Sequence, residues 1–478
     1  MSPTGKHGAL ASHNQTVIGH DHYFEWKRGM WFANPRPYSR LTKSEPHQTV
    51  WRQLYLPHDD LQGRVLVLTP VSLILGLLTG LFSIMLPLIG IALLYKALHP
   101  PVRRVPVRRV GAAGVESTPA EDRNEPREFV AETRVLSWQE RRRDPAVWVP
   151  MVLGLLLLLL PFGGRRISQY AHPAGSDEPV PLHGEIHDLK RSDGTTIHAE
   201  IFGPAGAPTL LLTHGWSTDN TEWFYAKRQL AGQFRIIVWD LPGLGETMPR
   251  ADDNFSLENM AADLHAVLGL ADGKPVVLVG HSIGGMINLT FCKMYPEDLG
   301  PRVAGIVEVD SSYTNPIRTT KNSKLNLALQ KPVGEPLLHT MIALSPVFRA
   351  MNWVSYQEGF QSSSNAKSAF DGTETRGQLD LVSRYSFESS PGVVAKGTLA
   401  MFHWDMTPEL PQVTVPVLMI VGKDDTTTLP EASEKMVSTI PRGQLQVLPI
   451  GRHYTLLESN GAVDSAIAKF ASGVLHQD

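Results

Sequence analysis

The stretch Gly280-His281-Ser282-Ile283-Gly284 follows the apolar run Pro275–Val279 and precedes a segment with helical periodicity. A G-x-S-x-G sequence between a strand and a helix is typical of a nucleophile elbow, a tight turn that holds a serine hydroxyl clear of the sheet. Gly280 and Gly284 are expected to permit the strained backbone of this turn. The pattern predicts attack by an activated serine, Ser282, and partners for it further along the chain.

The composition narrows the class of protein. The chain has 478 residues, enough for one large or two ordinary domains, and a formal net charge of −3. A charge so close to neutral gives no field that attracts nucleic acid, so no nucleic-acid partner is expected. The single cysteine, Cys292, can form neither an intramolecular disulfide nor a thiolate metal cluster. Since metal-ligand spacings and Walker or Rossmann glycine patterns are also lacking, we expect no metal and no cofactor.

Two long uncharged runs lie in the N-terminal third. The first covers 31 residues, 65–95, and the second covers 19 residues, 146–164. A bilayer core of about 30 Å takes about 20 helical residues, so the second run predicts one transmembrane helix. The first run exceeds one span and predicts either one long tilted helix or a hairpin broken around Thr79-Gly80. The hairpin is preferred because it keeps the basic N-terminal tail in the cytoplasm.

The basic residues between the two runs predict the orientation. Arginines follow the first run and precede the second, namely Arg103, Arg104, Arg108, Arg109 and Arg141 to Arg143. Positive loops stay in the cytoplasm, so the second helix carries the chain outward to the periplasmic or extracellular side. Arg165 and Arg166, directly after the second run, favour the opposite orientation, but they supply two positive charges against the seven of the linker. We therefore divide this third into a tail (1–64), a transmembrane segment or hairpin (65–98), a cytoplasmic polar linker (99–145) with a helix near Glu128–Arg143, and a transmembrane helix (146–164).

From His172 onward, strands alternate with helices. Glu185–Leu189 and Thr196–Phe202 predict a hairpin. Short buried runs follow that predict parallel strands covered by helices on both faces, Thr209–Thr213, Arg235–Trp239, Pro275–Val279, Val303–Val309 and Val415–Val421. The long gap between the last two needs packed structure of its own, so we expect a helical cap there. The predicted fold is a doubly wound, mostly parallel α/β sheet formed by 172–310 and 413–478, with the cap at 311–412.

Four landmarks in this region resemble the α/β-hydrolase fold superfamily, and within it the capped serine hydrolases of the esterase and lipase type. They are His214-Gly215-Trp216 after one strand, the turn Asp240–Gly245 after the next, the elbow, and the late segments Gly422–Asp425 and Gly451–His453. Their order also agrees, because an acid follows the serine by 143 residues and a histidine follows that acid by 28. The resemblance covers about His183 to Leu475 and does not extend to the apolar third.

The resemblance implies a catalytic triad. A serine hydroxyl is a poor nucleophile at neutral pH and needs an imidazole to take its proton, for which His453 is the candidate. In such hydrolases the acid that orients the imidazole follows the glycine of the seventh strand by three positions, which favours Asp425 over Asp424. Asp310, after the strand Val303–Val309, is a third candidate because some relatives place the acid there.

The resemblance also implies an oxyanion hole formed by the backbone N–H groups of Ile283 and Trp216. The Trp216 indole is expected to line the site, and His214 is expected to brace the loop that contains Gly215. His281 is expected to pack within the elbow without taking part in the chemistry. Asp240 is expected to stabilise its loop.

Several reactions use this scaffold. Ser282 argues against haloalkane dehalogenases and epoxide hydrolases, since those enzymes have aspartate at the elbow. Carboxylic ester hydrolysis is preferred, and thioester, lactone or carbon-carbon hydrolysis, peracid formation and acyl transfer remain alternatives. A non-catalytic receptor or scaffold is a further alternative, although such proteins usually lose a triad member. The expected partners are a small-molecule ester or lipid substrate and the lipid bilayer. The sequence does not indicate an oligomeric state.

Overall fold

The computed structural model describes residues 69–99, 103–108, 129–134 and 137–475, so the predicted tail at 1–64 lies outside the described residues. The first elements are α1 (Pro70–Leu98), the antiparallel pair β1 (Arg103–Arg108) and β2 (Phe129–Arg134), α2 (Trp138–Arg143) and α3 (Pro145–Tyr170). The helix predicted near Glu128–Arg143 is therefore wrong in its first half, which forms β2. Valine, phenylalanine and threonine in that stretch favour a strand.

The preferred hairpin in the first apolar run is also wrong. Helix α1 continues through Thr79-Gly80 for 29 residues without a break. One glycine costs a helix only about 1 kcal/mol, far less than leaving broken backbone hydrogen bonds unsatisfied in an apolar segment. Gly80 instead permits a close contact, because a Cβ atom at this position would lie 2.5 Å from Cε of Met351.

Helices α1 and α3 pack against each other in opposite directions. At one end a Cβ atom on Gly154 would lie 2.8 Å from the carbonyl oxygen of Gly90. Toward the other end, Phe82 and Gly164 both approach residues 358–360. Small residues at such a crossing let two apolar helices come close together. Both helices are long and apolar enough to cross a membrane, by length and composition.

The main sheet has eight strands in the order β10-β9-β8-β7-β5-β6-β4-β3. Its strands are β3 (Glu185–Lys190), β4 (Thr196–Phe202), β5 (Thr209–Thr213), β6 (Arg235–Trp239), β7 (Val276–His281), β8 (Val303–Val309), β9 (Val417–Gly422) and β10 (Gly443–Leu448). The pairs of β3 with β4 and of β4 with β6 are antiparallel, and the others are parallel. Strand β10 was not among the predicted strands, because Gln444 and Gln446 interrupt the apolar pattern of this edge strand.

Helices cover both faces of this sheet. They are α4 (Phe224–Leu230), α5 (Leu257–Val267), α6 (Ile283–Met294), α13 (Pro430–Thr439), α14 (Thr455–Glu458) and α15 (Asn460–Leu475). Leu211 of β5 packs in the core on one face, while Leu210 and Leu212 pack in the core on the other. A strand buried on both faces is continuously apolar, which explains why this strand was predicted from its run of leucines.

A helical insertion lies between β8 and β9. It comprises α7 (Ser323–Leu329), α8 (Glu335–Ala343), α9 (Ser345–Gln357), α10 (Phe360–Ser368), α11 (Arg376–Glu388) and α12 (Pro391–Phe402). Leu73 of α1 is buried in the same small core as Leu338 and Phe402 of this cap. The N-terminal end of α1 is therefore part of the packed cap.

Candidate active site

Ser282 occupies the turn between β7 and α6, at the carboxyl end of a central strand. Its φ angle of +53° is in the left-handed region, which is unusual for a residue with a side chain. The strain therefore lies at the serine itself, and the glycines serve another purpose. A Cβ atom on Gly280 would lie 2.3 Å from the carbonyl carbon of Gly284, and one on Gly284 would lie 2.3 Å from the carbonyl oxygen of Thr213. These two positions need glycine for close backbone approach.

The structure brings three of the candidate residues into one hydrogen-bonded chain. Nε2 of His453 lies 3.1 Å from Oγ of Ser282, and Nδ1 of His453 lies 3.0 Å from Oδ2 of Asp425. His453 lies in the loop after β10, and Asp425 lies in the loop after β9. Because β7, β9 and β10 belong to the parallel part of the sheet, their carboxyl ends bring these loops together at one edge.

Asp425 is held in place by further hydrogen bonds. Its Oδ1 atom accepts from the N–H groups of Thr427 at 2.7 Å and Thr428 at 3.1 Å, and Oδ2 accepts from the Thr428 hydroxyl at 2.7 Å. Only one carboxylate oxygen, Oδ2, contacts the imidazole. This arrangement directs Nδ1–H of His453 toward the acid and leaves Nε2 free to accept a proton from the serine.

The other two acid candidates lie in different surroundings. Asp424 is exposed at the surface. Asp310 is buried and accepts hydrogen bonds from the Gly422 N–H, the Thr455 N–H and the Thr455 hydroxyl, at 3.0, 3.1 and 2.6 Å. Burial and the nearby Asp425 carboxylate raise the pKa of Asp310 well above its ordinary value. Asp310 thus joins the end of β9 to the segment that follows His453, and the geometry favours Asp425 as the partner of the imidazole.

The two predicted oxyanion donors are the backbone N–H groups of Ile283 and Trp216. Ile283 is the first residue of α6, so its N–H has no acceptor within the helix and lies at the positive end of the helix dipole. Trp216 lines the same cavity as Ser282, and its indole Nε1–H donates to the carbonyl oxygen of Val394 in the cap at 2.9 Å. Gly397 of α12 makes room for this indole, because a Cβ atom there would lie 2.1 Å from Cζ2 of Trp216.

His214 and Asp240 both stabilise loops. Nε2 of His214 accepts from the Leu241 N–H at 2.9 Å, which leaves Nδ1 as the donor to the carbonyl oxygen of Gly215 at 2.8 Å. Asp240 accepts from the N–H groups of Asn220 at 2.8 Å and Glu246 at 3.0 Å. Neither side chain is hydrogen-bonded to Ser282 or to the His453 ring in the part of the chain that the structure describes.

A buried pair of charged residues next to the elbow was not predicted from the sequence. Glu222 accepts from the Gly215 N–H at 2.7 Å, from the Thr218 hydroxyl at 2.7 Å and from Nδ1 of His281 at 3.1 Å. Nε2 of His281 in turn donates to the backbone carbonyl of His453 at 2.8 Å. The pair thus links the loop of Gly215 and the predicted donor Trp216, which we call the oxyanion loop, to the backbone of the candidate base.

The charges of this pair stabilise each other. Burial disfavours the imidazolium, but the Glu222 carboxylate outweighs burial and raises the pKa of His281 to about 9. Burial also disfavours the carboxylate, but the charge of His281 outweighs it and lowers the pKa of Glu222. His281 therefore does more than pack within the elbow. The signal in the sequence was that Glu222 directly precedes three aromatic residues, Trp223-Phe224-Tyr225, since a carboxylate buried beside them needs a partner.

A cavity of about 310 Å³ opens on Ser282 and His453. Cap residues such as Met341 and Phe348 line it, together with the first turns of α1. Among the described residues, no group of three or more histidine, cysteine or acidic side chains is placed to hold a metal ion.

Known proteins resemble part of this chain. The model of the Alpha/beta hydrolase family matches residues 210–466, which is more than half of the 478 residues. A protein named for carbamate hydrolase activity, RutD of Stutzerimonas stutzeri (strain A1501), is 24% identical over 259 residues, 54% of this chain and 89% of that protein. Epoxide hydrolase 4 of Homo sapiens is 30% identical over 149 residues, which span 30% of this chain and only 41% of that protein.

Solved structures also match part of this chain. An esterase from Exiguobacterium antarcticum superposes with a TM-score of 0.49 and 20% identity, covering 61% of this chain and 100% of that one. A bromoperoxidase from Bacillus anthracis gives a TM-score of 0.49 and 18% identity over 60% of this chain and 99% of that one. The match to the family model over most of the sheet and cap is the decisive comparison. The chain therefore belongs to the α/β hydrolase family and is a hydrolase enzyme.

Proposed function

We propose that this protein is a membrane-anchored serine hydrolase that cleaves carboxylic esters through Ser282, His453 and Asp425. The observation that carries the proposal is the unbroken chain of contacts from the Ser282 hydroxyl through His453 to Asp425, at 3.1 and 3.0 Å. Nucleophile, base and orienting acid at these separations form the constellation that activates serine for acyl transfer.

The mechanism follows from these contacts. Nε2 of His453 takes the hydroxyl proton as Oγ of Ser282 attacks the ester carbonyl, and the Asp425 carboxylate stabilises the resulting imidazolium. The backbone N–H groups of Ile283 and Trp216 stabilise the oxyanion, with each such donor contributing about 3 kcal/mol to lowering the barrier. His453 then protonates the leaving alcohol, and water activated by the same imidazole hydrolyses the acyl-enzyme.

Membrane anchoring is supported by the length and surface of α1 and α3. Their exposed side chains include many large apolar residues, Leu81, Phe82, Met85, Leu88, Val152, Leu155, Leu156 and Leu159. The cap lies at the N-terminal end of α1 and the C-terminal end of α3, opposite the arginines of the linker. Arg165, which opposed the predicted orientation, contacts Asp380 and the hydroxyl of Tyr356, so its charge is paired within the cap. We propose that the catalytic domain faces the periplasm or exterior.

The residue at the elbow distinguishes ester hydrolysis from epoxide hydrolysis, the activity for which one relative is named. Epoxide hydrolases of this fold have aspartate where this chain has Ser282, so similarity to Epoxide hydrolase 4 does not carry its named activity to this protein. A receptor without catalysis is disfavoured because the triad and Gly215 are all present. Acyl transfer and the hydrolysis of thioesters, lactones or carbamates would use the same triad and oxyanion donors. Activity assays with each class of substrate distinguish them from ester hydrolysis.

Replacement of the nucleophile tests the proposal. Membranes containing the wild type, Ser282→Ala or Ser438→Ala are incubated with nitrophenyl butyrate and with a fluorophosphonate probe. Ser438 is an exposed serine of α13 and serves as the matched control. We expect Ser282→Ala to lose turnover and labelling while Ser438→Ala keeps both. Equal turnover or labelling by Ser282→Ala would refute the serine hydrolase.

A further inference from the structure

The cavity at Ser282 is bordered by helix α1. Leu73, Leu75, Gly76, Leu77 and Thr79 of α1 line the same cavity as Ser282 and His453. Leu73 is only 5% exposed and lies in a core shared with cap residues. One of the two apolar helices therefore forms part of the substrate site itself.

The length of α1 explains how one helix can both cross a membrane and line the cavity. Its 29 residues extend about 43 Å at 1.5 Å per residue, whereas a bilayer core is about 30 Å thick. About nine residues are in excess, and they correspond to the first turns, Pro70–Leu78. Large exposed apolar side chains begin at Leu78 and continue through Leu81, Phe82 and Met85. The helix thus passes from the segment suited to lipid directly into the wall of the cavity.

Helix α3 also packs against the cap, close to where α1 contacts it. Gly164 lies so close to the cap that a Cβ atom there would lie 2.3 Å from the carbonyl oxygen of Glu358. Beyond it, Gln169 is hydrogen-bonded to Asp380, and the guanidinium of Arg376 lies 4.6 Å from the centre of the Tyr170 ring. These contacts join the helix pair to the cap and keep α1 beside the cavity.

The lining indicates the chemistry of the ligand. Apolar side chains from α1 and the cap face polar but uncharged ones such as Asn352, Gln361 and Asn365. Within the described part of the chain, the cavity lining includes no lysine, arginine, aspartate or glutamate. A phosphate or ammonium group would be desolvated here without a counter-charge, which is costly. At about 310 Å³ the cavity is at the lower end of ligand sites, which suits one acyl chain.

We propose that the substrate is an uncharged ester with one long acyl chain, such as a monoacylglycerol, and that its chain lies against the first turns of α1. This inference rests on the proposed ester hydrolysis and adds the substrate class and the site of the chain. The bilayer in which α1 is embedded would supply such an ester next to the cavity wall that the helix forms.

Gly76 offers a way to fill this part of the cavity. A Cβ atom at Gly76 would have no atom within 4 Å, so a larger side chain can begin there without displacing the backbone. Gly163 of α3 is a matched control, because it also has open space beside it but does not line the cavity. The full-length wild type, Gly76→Ala, Gly76→Leu and Gly163→Leu are purified in detergent, and turnover of nitrophenyl palmitate and butyrate is measured. Fluorophosphonate labelling counts the active sites.

We expect Gly76→Leu to lower the ratio of palmitate to butyrate turnover at least tenfold, with Gly76→Ala intermediate and Gly163→Leu equal to wild type. An unchanged ratio in Gly76→Leu, or an equal loss with both esters, would overturn the placement of the chain on α1. A second comparison uses monopalmitoylglycerol and palmitoyl lysophosphatidylglycerol, and at least tenfold faster hydrolysis of the first is expected. Equal or faster hydrolysis of the anionic lipid would overturn the substrate class. Turnover retained by Ser282→Ala would instead refute the hydrolase mechanism, so the failures are distinguishable.

Discussion

Nε2–H of His281 donates a hydrogen bond to the backbone carbonyl of His453 at 2.8 Å, while Nδ1–H of the same ring contacts Glu222. The elbow histidine thus connects the candidate base to the loop of the oxyanion donor, since Glu222 also accepts from the Gly215 N–H. Both connections depend on His281 carrying two protons, which the buried carboxylate favours. The charged pair of His281 and Glu222 therefore positions the candidate active site, although neither residue lines the cavity.

Glu222→Gln should weaken this positioning. Without the carboxylate, the His281 imidazolium loses its counter-charge, so its links to the oxyanion loop and to the His453 backbone should weaken. We expect kcat for nitrophenyl butyrate to fall about tenfold, which corresponds to about 1.4 kcal/mol, with KM nearly unchanged. Glu431→Gln, at an exposed position of α13, is the control. A change confined to KM would argue against a positioning role.

The His281 and Glu222 pair also predicts how stability depends on pH. The pKa of His281 is raised to about 9, above the ordinary histidine value of about 6.5, so the folded state holds the proton more tightly. This contribution is complete below pH 6.5 and is lost as pH rises to about 9, with a slope of at most about 1.4 kcal/mol per pH unit. The midpoint of thermal unfolding should fall over this range in the wild type and fall less in His281→Gln. Identical pH dependence in both proteins would contradict the assignment.

Asp425→Asn and Asp424→Asn form a matched pair that tests the orienting acid. Asp425 contacts Nδ1 of His453 at 3.0 Å, whereas Asp424 is exposed. An amide at position 425 would favour the wrong imidazole tautomer, which lowers kcat on the order of 10⁴-fold in serine hydrolases with this triad. We expect that loss in Asp425→Asn and near wild-type rates in Asp424→Asn, measured with nitrophenyl butyrate. The reverse result would reassign the acid.

Gly397→Val should disturb the oxyanion loop from the cap. A Cβ atom at this position would lie 2.1 Å from the Trp216 indole, so Trp216 must move and its backbone N–H moves with it. Because one oxyanion donor contributes about 3 kcal/mol, we expect kcat to fall by 10- to 100-fold, depending on how far the loop relaxes. Gly461→Ala of α15 has open space beside it and serves as the control. A rate equal to wild type would mean that the indole and the donor move independently.

The proposed orientation can be measured with fusions at the C-terminus. Alkaline phosphatase, which is active only outside the cytoplasm, should be active when fused after Asp478, and green fluorescent protein exported in the same way should be dark. The proposal predicts this result because seven linker arginines should retain the loop in the cytoplasm, and α3 would then carry the chain outward. Fluorescence of the second fusion together with inactive phosphatase would reverse the orientation.

Much of the sheet was predictable because the apolar pattern of the sequence matches the burial of these strands in the folded protein. Thr209–Thr213 and Arg235–Trp239 were predicted with the bounds that the structure has, since central parallel strands are apolar on both faces. β10 was missed because this edge strand is only partly buried and two glutamines interrupt its apolar pattern. The preferred hairpin at Thr79-Gly80 was wrong because a glycine in a helix can mark a close packing contact as readily as a break.

The sequence by itself determined that the chain is an α/β hydrolase, and it predicted the groups of the candidate site because G-x-S-x-G is followed by an acid and a histidine in the right order. The tertiary structure alone decided which carboxylate contacts His453, that Glu222 and His281 form a buried charged pair, and that α1 lines the cavity. These relationships join residues separated by 28, 59 and some 200 positions, and no local pattern encodes such separations. They arise from packing, because the parallel strands end at one edge, burial forces charges to pair, and the cap covers an apolar helix.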